Sequence, residues 1–221
     1  MRRRLLSAVV SFVMICLSLS GLCSCEKDRE YNEAEVLAAT ADLIEKSLPL
    51  NEMFYGKGIA YTDEGVGIYK IADTESLKSF GVSTVEEMKS LAREVYTESF
   101  CKGLYSSEVF SSVKIDDTVK SYTRYYQELD SDGNPTHIMV NSKYEYFLKG
   151  SYEYNENMSV IDVSGEIITV RTLVSVTSES GKVKNINLDL KLIEEADGWR
   201  LASPTYAVYN EYTDIYEDLK K

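Results

Sequence analysis

Few side chains in this sequence can transfer protons near neutral pH. The chain has one histidine, His137, which lies one step past the turn Asp132–Pro135. Imidazole is the usual proton shuttle near pH 7, and one histidine near a hairpin end gives no clear Ser-His-Asp constellation. Asp162 and Asp189, with a tyrosine hydroxyl, supply the parts of an acid–oxyanion pair, but acids and tyrosines are so numerous that no spacing selects one pair. We therefore expect His137 on a strand surface and no catalytic residues.

The sequence also contains no clear metal-binding motif. The stretch Asp130-Ser131-Asp132-Gly133-Asn134 superficially resembles a calcium loop, which needs glycine at position six and glutamate at position twelve. Here Gly133 stands at position four, and Asn141 stands at position twelve. The sequence has no His/Cys cluster for zinc and no complete phosphate-binding glycine motif. We interpret the stretch as a hairpin turn and expect neither a metal nor a cofactor.

Cysteine chemistry gives the strongest signal, and it lies at the N-terminus. Arg2, Arg3 and Arg4 precede an apolar run from Leu5 to about Leu22, and small residues then lead to Cys25. A basic start, a short apolar segment and small residues before a cut site are typical of an export signal. A plain secretory signal stays open, as does an uncleaved anchor, because ~18 apolar residues are near the lower limit for a membrane span.

The segment Leu22-Cys23-Ser24-Cys25 resembles the end of a bacterial lipoprotein signal. The resemblance implies a diacylglyceryl thioether on Cys25, removal of residues 1–24 and a short tether over residues 25–31. Cys23 fits less well as the lipidated residue, because bulky Leu22 would then precede the cut. Two or more acyl chains anchor a protein stably. The mature protein would thus be exported and held at the outer face of a bacterial cell membrane or envelope membrane.

Composition and charge limit the partners. Residues 1–24 contain three arginines and no acid, so the mature chain has 21 basic and 36 acidic side chains and a net charge of −15. This charge argues against nucleic acid and against adhesion to an anionic lipid surface. The mature chain keeps only Cys25 and Cys101, and the lipidated Cys25 leaves no intrachain disulfide. Cys101 is therefore expected to be a small buried hydrophobe.

Apolar spacing predicts helices in the first half of the chain. Asn32 caps the first, and Pro49 ends it. Ser83-Thr84-Val85-Glu86 is interpreted as the capping box of the second. Residues 51–80 are expected to form mainly loop, with a short strand near Ile68–Ile71. Four helices are predicted in all. They cover Asn32–Leu48, a segment after the capping box that buries Met88, Leu91, Ala92 and Val95, about Thr97–Tyr105, and a short C-terminal segment from about Tyr209 to Leu219.

From Val119 the apolar pattern changes to a period of two, which indicates strands. Helices followed by a long antiparallel meander predict an α+β fold with helices packed on one sheet face. The predicted strands are Ser121–Leu129, Thr136–Asn141, Tyr144–Tyr154, Glu166–Glu179, Lys182–Glu194 and Trp199–Leu201.

This order of elements resembles the NTF2-like (cystatin-like α+β) cone, in which N-terminal helices pack on a strongly bent antiparallel sheet. The stretch from Asp197 to Tyr206 is similar to the closing strand of NTF2-like lipoproteins from Gram-positive bacteria, and Tyr152-Glu153-Tyr154 leading to Val160–Val163 is similar to the same group. The resemblance covers roughly residues 32–210 and implies one domain over 32–221 with a pocket between helices and sheet. It also allows a homodimer through exposed sheet.

The sequence therefore predicts a membrane-anchored lipoprotein whose single domain binds a small molecule, an envelope polymer or a protein partner. A small-molecule enzyme of isomerase or dehydratase type, and a purely structural assembly role, stay open. Tyrosine and tryptophan rings would bury an apolar or ring-shaped group, oriented by tyrosine hydroxyls. The candidate binding residues are Tyr122, Tyr126, Tyr152, Tyr154, Trp199 and Tyr206.

Overall fold

A computed structural model describes residues 31–115, 118–206, 208–210 and 215–217 of the chain. The predicted signal (1–24), Cys25 and all of the tether except residue 31 lie outside the described residues. The described helices are α1 (Glu33–Tyr55), α2 (Thr74–Phe80), α3 (Val85–Val95) and α4 (Glu98–Ser106). The described strands are β1 (Tyr61–Val66), β2 (Tyr69–Ala72), β3 (Val113–Ile115), β4 (Thr118–Ser121), β5 (Tyr125–Leu129), β6 (Pro135–Asn141), β7 (Ser151–Tyr154), β8 (Ser159–Ser164), β9 (Ile167–Thr177), β10 (Val183–Glu195), β11 (Gly198–Leu201), β12 (Val208–Asn210) and β13 (Ile215–Glu217).

Helix α1 begins where the sequence predicts, but it does not end at Pro49. The side chain of Asn32 accepts a hydrogen bond from the Glu35 N–H and caps the helix, which then runs through Pro49 to Tyr55. Proline inside a helix costs about 3 kcal/mol. The turn beyond it buries Leu50, Met53 and Phe54. Full burial of each such side chain contributes about 1.5–3 kcal/mol, which offsets the proline, so the predicted end was wrong.

Helices α3 and α4 are close to the predicted positions. Thr84, rather than Ser83, is the N-cap of α3, and its box partner is Glu87, which also accepts hydrogen bonds from the Ser83 N–H and hydroxyl. The capping box is therefore real but shifted by one residue. The predicted inner face of α3 is confirmed, with Met88, Ala92 and Val95 buried and Leu91 partly buried.

The strands are antiparallel, and the fold is mixed α+β with one strongly curled sheet. Among the described residues they form a four-stranded sheet, a five-stranded sheet and two separate pairs, β3-β4 and β12-β13, instead of one meander. The first has the order β1-β2-β6-β5 and recruits a hairpin from the N-terminal half, which sequence reasoning had assigned mainly to loop. The second has the order β11-β10-β9-β7, with β8 also paired to β9. A parallel bridge between Tyr96 and Leu201 joins the end of α3 to β11.

One main hydrophobic core lies between the helices and both sheets. Alternation along β9 and β10 places Ile168, Val170, Leu190 and Leu192 on its inner side. Cys101 is buried in the same core, as predicted. A second, smaller cluster of Val174, Val176 and Ile186 lies further along the same two strands.

Three strand or helix predictions require correction. The predicted strand Tyr144–Tyr154 is a strand only over β7, because the preceding segment crosses the end of α1, where the Leu148 N–H donates to the Tyr55 carbonyl. The predicted strand Ser121–Leu129 is divided between β4 and β5. In the predicted C-terminal helix, the described residues 209–210 and 215–217 belong instead to β12 and β13, which pair antiparallel, and its other residues lie outside the described part of the chain.

Candidate functional site: a tyrosine-lined cleft

The site begins at β7, an edge strand of the second sheet. Side chains alternate along a strand, so Tyr152 and Tyr154 point to the same face, whereas Glu153 is exposed on the other. Both tyrosine rings pack against the smaller hydrophobic cluster of β9 and β10. The packing of the two rings against this aliphatic cluster forms one wall of a cleft.

The opposite wall is the C-terminal half of α1. Tyr206, which follows β11, and the segment before β7 complete the cleft. Its volume is about 140 Å³. The lining residues are Leu48, Asn51, Glu52, Leu148, Gly150, Ser151, Tyr152, Tyr154 and Tyr206.

A buried polar network supports the cleft from behind. The hydroxyls of Ser47 and Thr205 lie 2.6 Å apart, and the Asn51 Nδ2 donates to Thr205 Oγ1 at 2.8 Å. The Tyr96 hydroxyl donates to Asn51 Oδ1 at 3.2 Å, and the Tyr154 hydroxyl donates to the Thr205 carbonyl. Buried polar groups that are satisfied in this way hold their side chains in one arrangement. The network therefore ties α1, β7 and the chain after β11 together.

An aromatic cluster adjoins the same network. The rings of Tyr55 and Tyr206 have centroids 5.0 Å apart, and Phe147 lies 5.2 Å from Tyr55 and 5.9 Å from Tyr206. Tilted aromatic contacts of this kind add to the stabilisation from burial, so the Tyr206 wall of the cleft is well fixed.

The electrostatics of the cleft keep its phenols neutral. Burial raises the pKa of Tyr55 to about 12, and burial also raises the pKa values of Tyr152, Tyr154 and Tyr206 well above the ordinary value. Within the described residues that line the cleft, Glu52 carries the only ionisable carboxylate, and there is no lysine, arginine or histidine. The cleft thus presents neutral rings and one acidic group.

The structure brings together three of the six predicted binding residues. Tyr152, Tyr154 and Tyr206 line the cleft. Tyr122 is 52% exposed next to the first sheet, and Tyr126 is on β5 of that sheet, its ring 4.8 Å from Tyr69. Trp199 is partly buried on β11, where it packs against the main core. The lipidation residue Cys25 lies outside the described residues.

The histidine and the two aspartates that could take part in acid–base chemistry lie away from the cleft. His137 is exposed on β6, as predicted, with Nδ1 3.0 Å from Glu128 Oε2. Asp162 is exposed on β8. The Arg171 guanidinium donates to both Asp189 oxygens at 2.6 and 2.7 Å and lowers the pKa of that carboxyl. A general acid needs the opposite shift, so Asp189 is not suited to that role.

The calcium-like stretch is a turn. Asp130 Oδ1 accepts the N–H groups of Asp132 and Asn134, and Gly133 has φ of 85°, which favours glycine. This confirms the hairpin interpretation. In the described part of the chain, no group of three or more His, Cys, Asp or Glu side chains is placed to hold a metal ion.

Two other concave regions differ in character from the cleft. One, of about 220 Å³, is a mainly apolar groove between α1 and α3, lined by residues such as Leu50, Met53 and Phe80. The other is an open depression of about 520 Å³ beside the start of α4. Neither joins converging aromatic residues to a supporting hydrogen-bond network, so we select the cleft as the candidate site.

The cleft contains residues that sequence reasoning missed. Asn51 and Glu52 follow Pro49, where the helix was expected to stop, and Leu148 lies in a segment that was expected to be a strand. The spacing of Leu50, Met53 and Phe54 is a helical signal beyond the proline, and it points to Asn51 and Glu52 as part of α1. No comparable local signal identifies Leu148.

No protein-family model matches this chain, and no curated protein or solved structure is significantly similar to it. Among the helices of the described residues, none is long and apolar enough to cross a membrane. Functional proposals therefore depend on the N-terminal segment that was predicted to be a signal and on the geometry of the cleft.

Proposed function

We propose that this protein is an exported lipoprotein, anchored through Cys25, whose domain binds a ligand without transforming it. The cleft supports the binding proposal, since three tyrosines converge there and Tyr154 is hydrogen-bonded to the polar network behind it. The lipoprotein-like signal supports the proposed export and membrane anchoring. Within the α+β class, we propose that the fold is an NTF2-like cone. The helices packed over a curled antiparallel sheet support this proposal.

The size of the cleft defines the bound group. A cavity of about 150 Å³ in another protein takes up benzene, whereas whole drug-sized ligands need about 300–1,000 Å³. The cleft of about 140 Å³ thus receives one ring, headgroup or side chain. The ligand is a small molecule, or it is a longer polymer or partner that inserts one such group.

A thermal-shift screen of the full-length protein tests the binding proposal. The panel contains single-ring compounds, small organic ions, sugars and peptidoglycan fragments. A ligand at one hundred times its Kd adds about 2.7 kcal/mol to the free energy of unfolding, which gives a measurable rise in Tm. The variant Tyr152→Leu is expected to reduce that rise, whereas Tyr122→Leu is the control on the other sheet. A shift that is identical in both variants would place the ligand elsewhere.

The substitution Cys25→Ser tests the anchor. It removes the thiol that would form the thioether, so we expect the protein to move from the membrane fraction to the soluble fraction of an expressing bacterium. Metabolic labelling with a fatty acid is expected to disappear at the same time. Cys23→Ser is the matched control, because the proposed cut removes that residue. Unchanged labelling of the Cys25 variant would contradict lipidation at this position.

A further inference from the structure

The polar atoms at the cleft are largely occupied within the protein. Both polar atoms of the Asn51 side-chain amide have partners: Nδ2 donates to the Thr205 hydroxyl, and Oδ1 accepts from the Tyr96 hydroxyl. The hydroxyl of Tyr154 donates to the carbonyl of Thr205. A ligand rich in hydroxyl or amide groups would therefore lose water without gaining equal partners, which costs free energy for each unsatisfied group.

The residues that line the cleft contribute tyrosine rings, the aliphatic side chains of Leu48 and Leu148, and one carboxylate; Asn51 and Ser151 are the neutral polar side chains besides the tyrosine hydroxyls. Tyrosine faces attract cations through the ring quadrupole. Glu52 Oε1 accepts the Lys57 N–H at 3.0 Å, and a carboxylate has about four acceptor sites, so its charge is still available to a bound cation. The described lining has no basic side chain that would repel one.

We infer that the cleft binds an alkylated ammonium group of the trimethylammonium type, an inference that rests on the proposed binding function of the same site. Such a group has no N–H or O–H donor that needs a partner. Its methyl groups contact Leu48, Leu148 and the tyrosine rings, while its charge is balanced by Glu52 and the ring faces. The cation fits a cleft that offers apolar surface and negative potential together.

The test compares choline with its neutral isostere 3,3-dimethylbutan-1-ol, which has carbon in place of the charged nitrogen. Isothermal titration calorimetry is performed on the full-length protein in a non-ionic detergent. Cation–π contacts and one carboxylate predict that choline binds about fivefold or more tightly than the isostere. Glycerophosphocholine is added as a third ligand, to distinguish a lipid headgroup from a free cation.

Variants test the role of each wall. Glu52→Gln is expected to reduce choline affinity several-fold and leave binding of the isostere unchanged, while Glu45→Gln, on the same helix but outside the lining, is expected to change neither. Tyr152→Phe keeps the aromatic ring and is expected to keep most of the choline affinity. Tyr152→Leu removes the ring and is expected to lose most of that affinity. Because Glu52 is exposed, its variant is expected to fold even if Tyr152→Leu does not.

The outcomes separate this inference from the proposed function. Preference for choline that depends on Glu52 supports the inference. Equal binding of choline and the isostere, or binding of uncharged single-ring compounds alone, overturns the cation preference and leaves a ring-binding cleft. Absence of binding by all ligands, in a folded protein, overturns both.

Discussion

Replacement of Arg124 by methionine is expected to lower the free energy of unfolding by about 3–5 kcal/mol, the cost of breaking a buried charged group's contacts. The side chain of Arg124 is 2% exposed, and its guanidinium donates to the carbonyls of Phe54 and Gly56 at 3.0 and 2.7 Å. The last turn of α1 has no basic residue of its own. Arg124 therefore supplies both the hydrogen bonds and the positive charge that a helix C-terminus favours.

The packing around Arg124 leaves little room for compensation. Its guanidinium lies 5.2 Å from the centroid of the Tyr125 ring and 4.6 Å from that of Tyr144. Gly58 has φ of 74°, and a Cβ there would collide with the Arg124 guanidinium and the Tyr125 hydroxyl. Methionine fills part of the volume but leaves two carbonyls without this donor. Loss of the cap therefore destabilises the part of α1 that forms the cleft.

Urea denaturation measures the effect, with Arg171→Met as the matched control. Arg171 also makes two hydrogen bonds, to Asp189, but both side chains are more than 40% exposed. Exposed pairs of this kind contribute about 0–1 kcal/mol. Equal losses in the two variants would show that the buried contacts at the end of α1 do not govern stability.

The contacts of Arg124 explain why the end of α1 could not be predicted from the sequence. Local patterns predicted α3, α4, the hairpin turn and the strands β9 and β10, because period and capping residues encode them within a few positions. The end of α1 depends instead on a side chain about 70 residues away. Nothing within the helix indicates that partner, and the proline alone indicated an earlier end.

The candidate site was predictable in part for the same reason. Tyr152 and Tyr154 alternate on a strand, so their common face follows from the sequence. Their partners on α1 and before β7 come from segments whose local structure was predicted wrongly. The network through Thr205 joins residues more than 150 positions apart, and tertiary packing rather than local preference creates such contacts.

Alkaline unfolding is the second large expected effect. Tyr96, Tyr125 and Tyr206 are buried, and burial raises the pKa of each hydroxyl above its ordinary value. Below pH of about 10, these phenols are protonated in both the folded and the unfolded state. Above it the unfolded state ionises first and binds fewer protons, so stability falls with pH. Three such groups lower the free energy of unfolding by about 4 kcal/mol per pH unit.

The pH window follows from the folded-state pKa values. The decrease begins near pH 10, where tyrosines of the unfolded chain ionise, and continues above it because burial keeps the hydroxyls of Tyr96, Tyr125 and Tyr206 protonated in the folded protein. Circular dichroism and tyrosinate absorbance, recorded together, are expected to show exposed tyrosines ionising first and the buried ones ionising only as the protein unfolds. A folded protein in which all tyrosines ionise near pH 10 would contradict the burial of these hydroxyls.

A pair of variants assigns the pH dependence to particular hydroxyls. Tyr96→Phe removes one buried phenol and is expected to reduce the slope above pH 10 by about 1.4 kcal/mol per pH unit. Tyr122→Phe removes an exposed phenol and leaves the slope unchanged. Ionisation of lysine side chains and repulsion within the acidic chain act equally on both variants, so their difference isolates Tyr96. A reduced slope would also show that burial of the Tyr96 hydroxyl, which donates to Asn51 behind the cleft, keeps this phenol protonated while the protein is folded.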